Sequence, residues 1–303
     1  MNIICNHRGQ SGYAARFALH CCVALVLASC AQSPTKTYNK NEINKSILAN
    51  GLQKPIQIND KTVILDAREP FEFAIAHLPR SVNLQWQDFS DVRGPLPGRL
   101  KSDVKESARR LSLLGVSPES QVVVVGNGVA GNGQEGRLAW TLLYLGLENV
   151  QTAQIDSLDL SYTNLVEPPR ENAKPWEPKV VSSLVASRNE VIKIATAKFD
   201  GKSFIIDVRS RAEYFSKNRD LQYEAPDLRA LHIEWKEFYN SQGRPNLAIQ
   251  QQLMAVGVQK DSRIIVISNN GLRSGAVAYA LLAQGYQNVS NFAGGYSELL
   301  SKK

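Results

Sequence analysis

Residues 63–68 read VILDAR, and the same pattern recurs as FIIDVR at residues 204–209, 141 positions later. Further matches follow in the same order along the chain. They pair residues 115–125 with 257–267, and residues 146–150 with 285–289. Self-similarity over such a length is typical of a tandem duplication. We therefore predict two copies of one structural unit.

Each copy has the pattern of an α/β unit. Residues 122–125 and 264–267 are continuously apolar and mostly β-branched, as expected of parallel strands that are buried on both faces. Residues 137–145 and 275–283 are apolar on nearly all sides, as expected of helices that cover such a sheet. The predicted fold class is α/β, with a central, mostly parallel sheet flanked by helices in each copy.

The chain length agrees with two domains. The chain has 303 residues, and a domain usually takes about 150. Four prolines in residues 168–178 forbid a helix there and indicate a linker. The predicted organisation is a signal peptide at 1–29, a polar tether at 30–45, a first domain at 46–160, a proline-rich linker at 161–179 and a second domain at 180–303.

The amino terminus has the features of an export signal. Arg8 and Arg16 give it positive charge, residues 17–28 are apolar, and the run ends in LASC at residues 27–30. This ending resembles the bacterial lipoprotein signal, which implies acylation of Cys30 and attachment to a membrane through its acyl chains. Ala31 after that cysteine implies the outer membrane, facing the periplasm. An ordinary secretory signal and a short buried segment stay open as alternatives.

Charge and residue usage narrow the remaining function classes. The 35 basic and 28 acidic side chains are interspersed, without the basic stripe that a nucleic-acid-binding protein needs. After Cys30 the chain has two histidines, His77 and His232, and no cysteine. We therefore predict no metal site, no cofactor and no disulfide in the two domains.

A motif shared by both copies points to a family. Asp-x-Arg-x-x-x-Glu followed by an aromatic residue occupies residues 66–73 and 207–214, and it resembles the entry motif of rhodanese domains. Residues 76–84 resemble the Gly-His-Ile-Pro-Gly-Ala run of that family, and residues 294–296 its closing Gly-Gly-aromatic. The layout is similar to that of the two-domain thiosulfate and mercaptopyruvate sulfurtransferases.

The resemblance implies an active-site loop, and there the chain departs from the family. The family has a cysteine, which carries the transferred sulfur, at the end of the fourth strand of its active domain. Ser268 stands at that position, and Gly126 stands there in the first copy. A hydroxyl needs a partnered base to become a nucleophile, and its oxygen does not carry sulfane sulfur. The sequence of the loop therefore predicts either an anion-binding site that lacks a nucleophile, or an evolutionary relic of the active-site loop that binds nothing. Its residues are Ser268, Asn269, Asn270, Gly271, Leu272, Arg273 and Ser274.

Three functions stay open at this point. The first is a lipid-anchored, catalytically inactive module that binds a small anion, a sulfur compound or an envelope protein. The second is an enzyme, either a sulfurtransferase that works with a thiol on a partner or a hydrolase that uses Ser268. The third is a dinucleotide binder, because Gly126, Gly128 and Gly131 form a GxGxxG pattern and Asp156 could bind a ribose.

Overall fold

Two four-stranded parallel sheets form the framework of the molecule. In the first sheet the strand order is β2-β1-β3-β4, and every neighbouring pair is parallel. Asp66 lies opposite Val125, so the carboxyl ends of β1 and β3 meet at one edge of the sheet. The strands of this sheet are β1 (Thr62–Asp66), β2 (Ser81–Asn83), β3 (Gln121–Gly126) and β4 (Val150–Gln154).

The second sheet repeats the first. Its order is β6-β5-β7-β8, again with parallel pairs only, and Asp207 lies opposite Ile267 as Asp66 lies opposite Val125. The predicted α/β fold with two tandem units is confirmed. The strands of the second sheet are β5 (Ser203–Asp207), β6 (Leu231–His232), β7 (Arg263–Ile267) and β8 (Asn288–Asn291).

The computed structural model describes residues 52, 55–165, 167, 171–215 and 227–301. All of them belong to one unit, Tyr38–Lys303. The predicted signal peptide at 1–29, the tether at 30–45 and Cys30 lie outside the described residues.

Eight helices within the described residues cover the sheets. Two of them begin at side-chain caps that satisfy free backbone N–H groups. Asp103 accepts from the N–H of Glu106, and Ser187 accepts from the N–H of Glu190. The helices are α1 (Pro70–Ile75), α2 (Val104–Leu113), α3 (Gln134–Tyr144), α4 (Arg188–Thr196), α5 (Arg211–Phe215), α6 (Ile249–Ala255), α7 (Leu272–Ala283) and α8 (Gly295–Leu300).

Helices α3 and α7 pack against each other and join the two repeats. Because the repeats are offset by 139 residues here, Gly136 corresponds to Gly275 and Arg137 to Ala276. A Cβ atom on Gly136 would lie 2.8 Å from the Cβ of Ala276, and one on Gly275 would lie 2.6 Å from Cδ of Arg137. The contact is thus reciprocal, as at the two-fold interface of a dimer.

One hydrophobic core extends across both repeats. It includes Val122 and Val124 of β3, Ile264 and Val266 of β7, and the residues where α3 and α7 meet. Each of the helices α3 and α7 packs on the sheet of its own repeat and on the helix of the other repeat. These two contacts explain why both helices are apolar nearly all round. In the described part of the chain, no helix combines the length and the apolar character that a membrane crossing requires.

Candidate functional site

The loop at 268–271 joins β7 to α7 at the carboxyl edge of the second sheet. Gly271 caps α7 in the left-handed conformation, with a φ of 77°. A Cβ atom at Gly271 would lie 2.1 Å from the carbonyl oxygen of Ala293. Backbone conformation and space therefore both require glycine here, and they hold the loop in a tight turn above Ser268.

Ser268 lies at the bottom of this loop and is wholly buried. The Ser274 hydroxyl donates to Oδ1 of Asn291 over 2.7 Å. Its proton is therefore used, and Ser268 is the donor in the 3.0 Å bond between the two serine hydroxyls. The Ser268 oxygen in turn accepts the backbone N–H of Ser274 at 3.2 Å. Ser268 thus belongs to a closed chain of hydrogen bonds.

Arg273 and Asn269, two other residues of the predicted loop, bind a carboxylate of the same domain. Both terminal nitrogens of Arg273 donate to Glu213, at 2.7 and 2.8 Å, and the Asn269 amide donates to it at 2.7 Å. This pairing, chiefly with Arg273, holds the pKa of Glu213 well below its usual range. The cation of the loop is therefore already neutralised within the protein.

The backbone of the loop keeps free donors. Among the described residues, the N–H groups of Asn269, Asn270 and Gly271 have no hydrogen-bond acceptor, and that of Leu272 has only a 3.5 Å contact to Asn270 Oδ1. Successive free N–H groups at the start of a helix are a common form of anion site. The structure thus brings the predicted loop residues together at the carboxyl end of β7, with the free donors of the loop on its backbone.

The corresponding loop of the first domain contains a carboxyl group. Glu135, which the repeat aligns with Ser274, is 1% exposed. A Cβ atom on Gly126 would lie only 2.5 Å from Oε2 of Glu135. Burial raises the pKa of Glu135 to about 7. The Glu135 side chain thus takes the space that a side chain at Gly126 would need.

The same geometry bears on the dinucleotide alternative. The pyrophosphate of a dinucleotide would bind at the start of the helix after the glycine-rich turn. There, at the start of α3, the buried Glu135 carboxyl group fills the space beside Gly126. A ligand phosphate would therefore meet a competing acidic group, and this geometry disfavours the alternative.

The motif acids and arginines form ion pairs within their own domains. Arg68 binds Asp66 at 2.7 Å, and Arg209 binds Asp207 at 2.8 Å. Arg209 also lies 3.8 Å from the ring centre of Tyr296, whose hydroxyl donates to Asp207. These contacts anchor the closing Gly-Gly-Tyr segment beside the loop.

The two histidines are structural partners in their own domains. His77 stacks on Phe73 and contacts its carbonyl oxygen through Nδ1 at 2.9 Å. His232 stacks on Tyr214, and its Nε2 lies 2.9 Å from the carbonyl oxygen of Arg209. Among the described residues, the Ser268 hydroxyl forms hydrogen bonds only with Ser274. Neither histidine therefore serves as a base for Ser268.

A buried arginine links the first domain to the loop of the second, and the sequence reasoning missed it. Arg137 donates to the carbonyl oxygens of Gly271 at 3.0 Å and of Gly98 at 2.7 Å. Its guanidinium lies 4.6 Å from the ring centre of Trp140, and burial lowers its pKa to about 9. Its place at the start of the apolar run 137–145 is the signal that points to it.

Comparison with known proteins identifies the scaffold. The model of the rhodanese-like domain matches residues 48–153 and 191–302, which is more than half of the chain and covers both repeats. The chain belongs to the rhodanese-like domain family. Its two rhodanese-like domains account for the duplicated sheets and for the position of the loop at residue 268.

The relatives of this rhodanese-like chain include sulfurtransferases. It is 26% identical to a 3-mercaptopyruvate sulfurtransferase of Escherichia coli O157:H7, over 75% of this chain and 81% of the relative. It is also 26% identical to the sulfur carrier protein TtuD of Thermus thermophilus, over 73% of this chain and 81% of that protein.

Solved structures share the fold of both domains. The crystal structure of SseA, a 3-mercaptopyruvate sulfotransferase from Escherichia coli, has a TM-score of 0.63 and 24% identity, covering 78% of this chain and 93% of that chain. The structure of YnjE has a TM-score of 0.65 and 18% identity, covering 83% and 64%. At these identities the likeness establishes the fold alone.

Proposed function

We propose that this protein is a catalytically inactive rhodanese-like module of the bacterial envelope, which binds a small sulfur-containing anion at the loop of Ser268. The observation that carries the proposal is the buried hydroxyl of Ser268, whose proton and lone pair are both engaged within the domain. A binding role for an envelope protein at the same loop belongs to the same proposal.

The chemistry of Ser268 supports the absence of turnover. A serine hydroxyl is a poor nucleophile unless a neighbouring base takes its proton. The Ser268 hydroxyl is hydrogen-bonded to the hydroxyl of Ser274, which is not a base. An oxygen at this position also has no stable state that holds sulfane sulfur. The scaffold therefore keeps the shape of a sulfurtransferase loop and loses the group that the reaction needs.

The backbone of the loop supports anion binding. The free N–H groups of Asn269, Asn270 and Gly271 lie before the positive end of α7, where an anion is favoured electrostatically. Because Glu213 neutralises Arg273, the affinity for an anion rests on these amides. A sulfur oxyanion such as thiosulfate has the charge and the acceptor oxygens that such a site requires.

Restoring the thiol tests the proposal directly. The wild-type protein should show no thiosulfate:cyanide turnover, whereas Ser268→Cys should form a persulfide when mixed with thiosulfate. In that step the thiolate attacks the sulfane sulfur, the new sulfur–sulfur bond forms, and sulfite leaves. The loop amides favour the thiolate, so the reaction needs no further residue. Mass spectrometry of the intact protein detects the added sulfur atom.

The first domain offers a matched control. Gly126→Cys puts a thiol at the equivalent position, but its Cβ meets the Glu135 carboxyl group at 2.5 Å. This variant should gain no sulfur under the same conditions. Turnover by the wild-type protein would end the claim of catalytic inactivity. Failure of a folded Ser268→Cys protein to react would show that the loop is a relic.

A sulfurtransferase that uses a thiol on a partner is the second candidate. It is favoured by the relatives, which include a sulfurtransferase and a protein named as a sulfur carrier. In this case wild-type protein should accelerate sulfur transfer from thiosulfate to a thiol acceptor such as dithiothreitol. A Leu272→Glu variant, which adds negative charge at the loop, should abolish that acceleration. No acceleration above the uncatalysed rate would exclude this candidate.

Attachment to the envelope through Cys30 is part of the proposal. In bacterial cells fed an alkyne-labelled fatty acid, the wild-type protein should take up the label and fractionate with membranes. Cys30→Ala should lose the label, whereas Cys22→Ala, eight positions earlier, should keep it. Equal labelling of both variants would contradict acylation at Cys30.

A further inference from the structure

A cavity between the two domains lies apart from the Ser268 loop. It has a volume of 350 Å³, within the range of small-molecule sites. The first domain contributes Arg99, Lys101 and Tyr144 to its walls, and the second contributes Arg188 and Glu298. A second cavity of 320 Å³ shares Arg99, Arg188 and Glu298 with it.

The cavity wall carries more positive than negative side chains. Three cations, Arg99, Lys101 and Arg188, line it together with a single acid, Glu298. That acid is already engaged, because it forms a two-pronged ion pair with Arg99, including a bond from Arg99 Nε to Oε2 of 2.9 Å. Among the described residues, no carboxylate is therefore left in this cavity for Arg188 or Lys101.

Arg188 has an unused donor at this position. Its Nη2 donates to the carbonyl oxygen of Leu299 over 3.2 Å. Its Nε is buried and has no hydrogen-bond partner among the described residues. A buried guanidinium N–H without an acceptor is unfavourable, and a planar carboxylate is the acceptor that fits an arginine best.

Apolar side chains and three serines form most of the remaining cavity wall. The apolar residues are Leu100 and Tyr144 of the first domain and Val185, Ala186 and Ala293 of the second, and the serines are Ser102, Ser182 and Ser187. A cavity whose wall combines cationic and apolar side chains suits an anion with a hydrocarbon group rather than an inorganic ion.

We propose that this interdomain cavity binds a small organic carboxylate, with the carboxylate at Arg188 and an alkyl or aromatic group against Tyr144 and Val185. Residues 98–99 separate the cavity from the Ser268 loop, because Gly98 packs directly on the carbonyl oxygen of Asn270. The cavity is therefore distinct from the proposed anion-binding site at the Ser268 loop, and the proposal stands whether or not that loop binds a ligand.

Calorimetric titration of the full-length protein tests the site with phenylacetate and with its neutral isostere, phenylacetamide. Phenylacetate should bind, and phenylacetamide should bind about tenfold more weakly or worse, as expected for the loss of a charge-assisted hydrogen bond. Arg188→Gln should weaken phenylacetate binding to a similar degree. Ser268→Cys should leave it unchanged.

Two further variants keep the test decisive. Lys193→Gln removes one positive charge from the same helix, at a residue that lines another cavity, and should bind like wild type. Val185→Phe fills the apolar end without changing charge and should abolish binding in a protein that still folds. The proposal is overturned if phenylacetate does not bind, or if Arg188→Gln and Lys193→Gln bind it equally well.

Discussion

At the scale of single residues, the two duplicated loops differ at two corresponding positions, where Ser268 and Ser274 of the second domain replace Gly126 and Glu135 of the first. In the second domain, Ser268 and Ser274 are short side chains that bond to each other. In the first domain, Gly126 has no side chain and Glu135 extends into the vacated space, where its Oε2 has no hydrogen-bond partner among the described residues. A buried carboxyl group with an unsatisfied oxygen favours its protonated form.

Glu135 therefore makes stability depend on pH. Burial raises its pKa from 4.5 to about 7, so the folded protein keeps a proton that the unfolded chain loses. This contribution to the free energy of unfolding is complete below pH 4.5 and is lost as pH rises through 7. At about 1.4 kcal/mol per pKa unit, the loss is about 3 kcal/mol.

Urea unfolding at several pH values measures this effect as a difference between Glu135→Gln and wild type. The stability of the variant relative to wild type should increase by about 3 kcal/mol between pH 4.5 and pH 8. The exposed Glu119→Gln should show no such trend. A difference that stays constant over this range would contradict a raised pKa at Glu135.

At the scale of elements, the α3–α7 contact depends on glycine. The hydroxyl of Tyr239 donates to the carbonyl oxygen of Ala276 over 2.7 Å, and it lies 2.2 Å from where a Cβ atom on Gly136 would be. Close approach of the two helices thus takes precedence over helix propensity, which favours alanine over glycine by about 1 kcal/mol.

Gly136→Ala should consequently destabilise the protein, by about 1–3 kcal/mol, which is typical of overpacking. Chemical denaturation followed by circular dichroism measures the change. Gln251→Ala, at an exposed position of α6, should alter stability by less than about 0.5 kcal/mol. If Gly136→Ala were as stable as wild type or more so, the helices would not be packed as closely as described.

At the scale of the whole molecule, the shared core makes the two domains dependent on each other. The core residues of β3 and β7 belong to one continuous cluster, and Arg137 bonds the first domain to the carbonyl oxygen of Gly271 in the second. Separation of the domains would expose the apolar faces of α3 and α7 to water, which is unfavourable in proportion to the area exposed.

The two domains should accordingly unfold together. Differential scanning calorimetry should give a single transition, with a calorimetric enthalpy equal to the van't Hoff enthalpy. Gly136→Ala should move this transition to lower temperature without splitting it, because the variant weakens both domains through their common interface. Two resolved transitions in the wild-type protein would contradict the shared core.

The duplication, the parallel strands and the expectation that Ser268 stands at the family's cysteine position follow from the amino-acid sequence alone. These features are local, since they depend on the periodicity of apolar residues and on motifs of a few positions. Two contacts can be assigned only from the folded structure, in which Glu213 engages Arg273, 60 positions away, and Arg137 reaches Gly271, 134 positions away. Such partners are chosen by distance in space and by the need to satisfy buried polar groups, and neither is encoded in the spacing of residues along the chain.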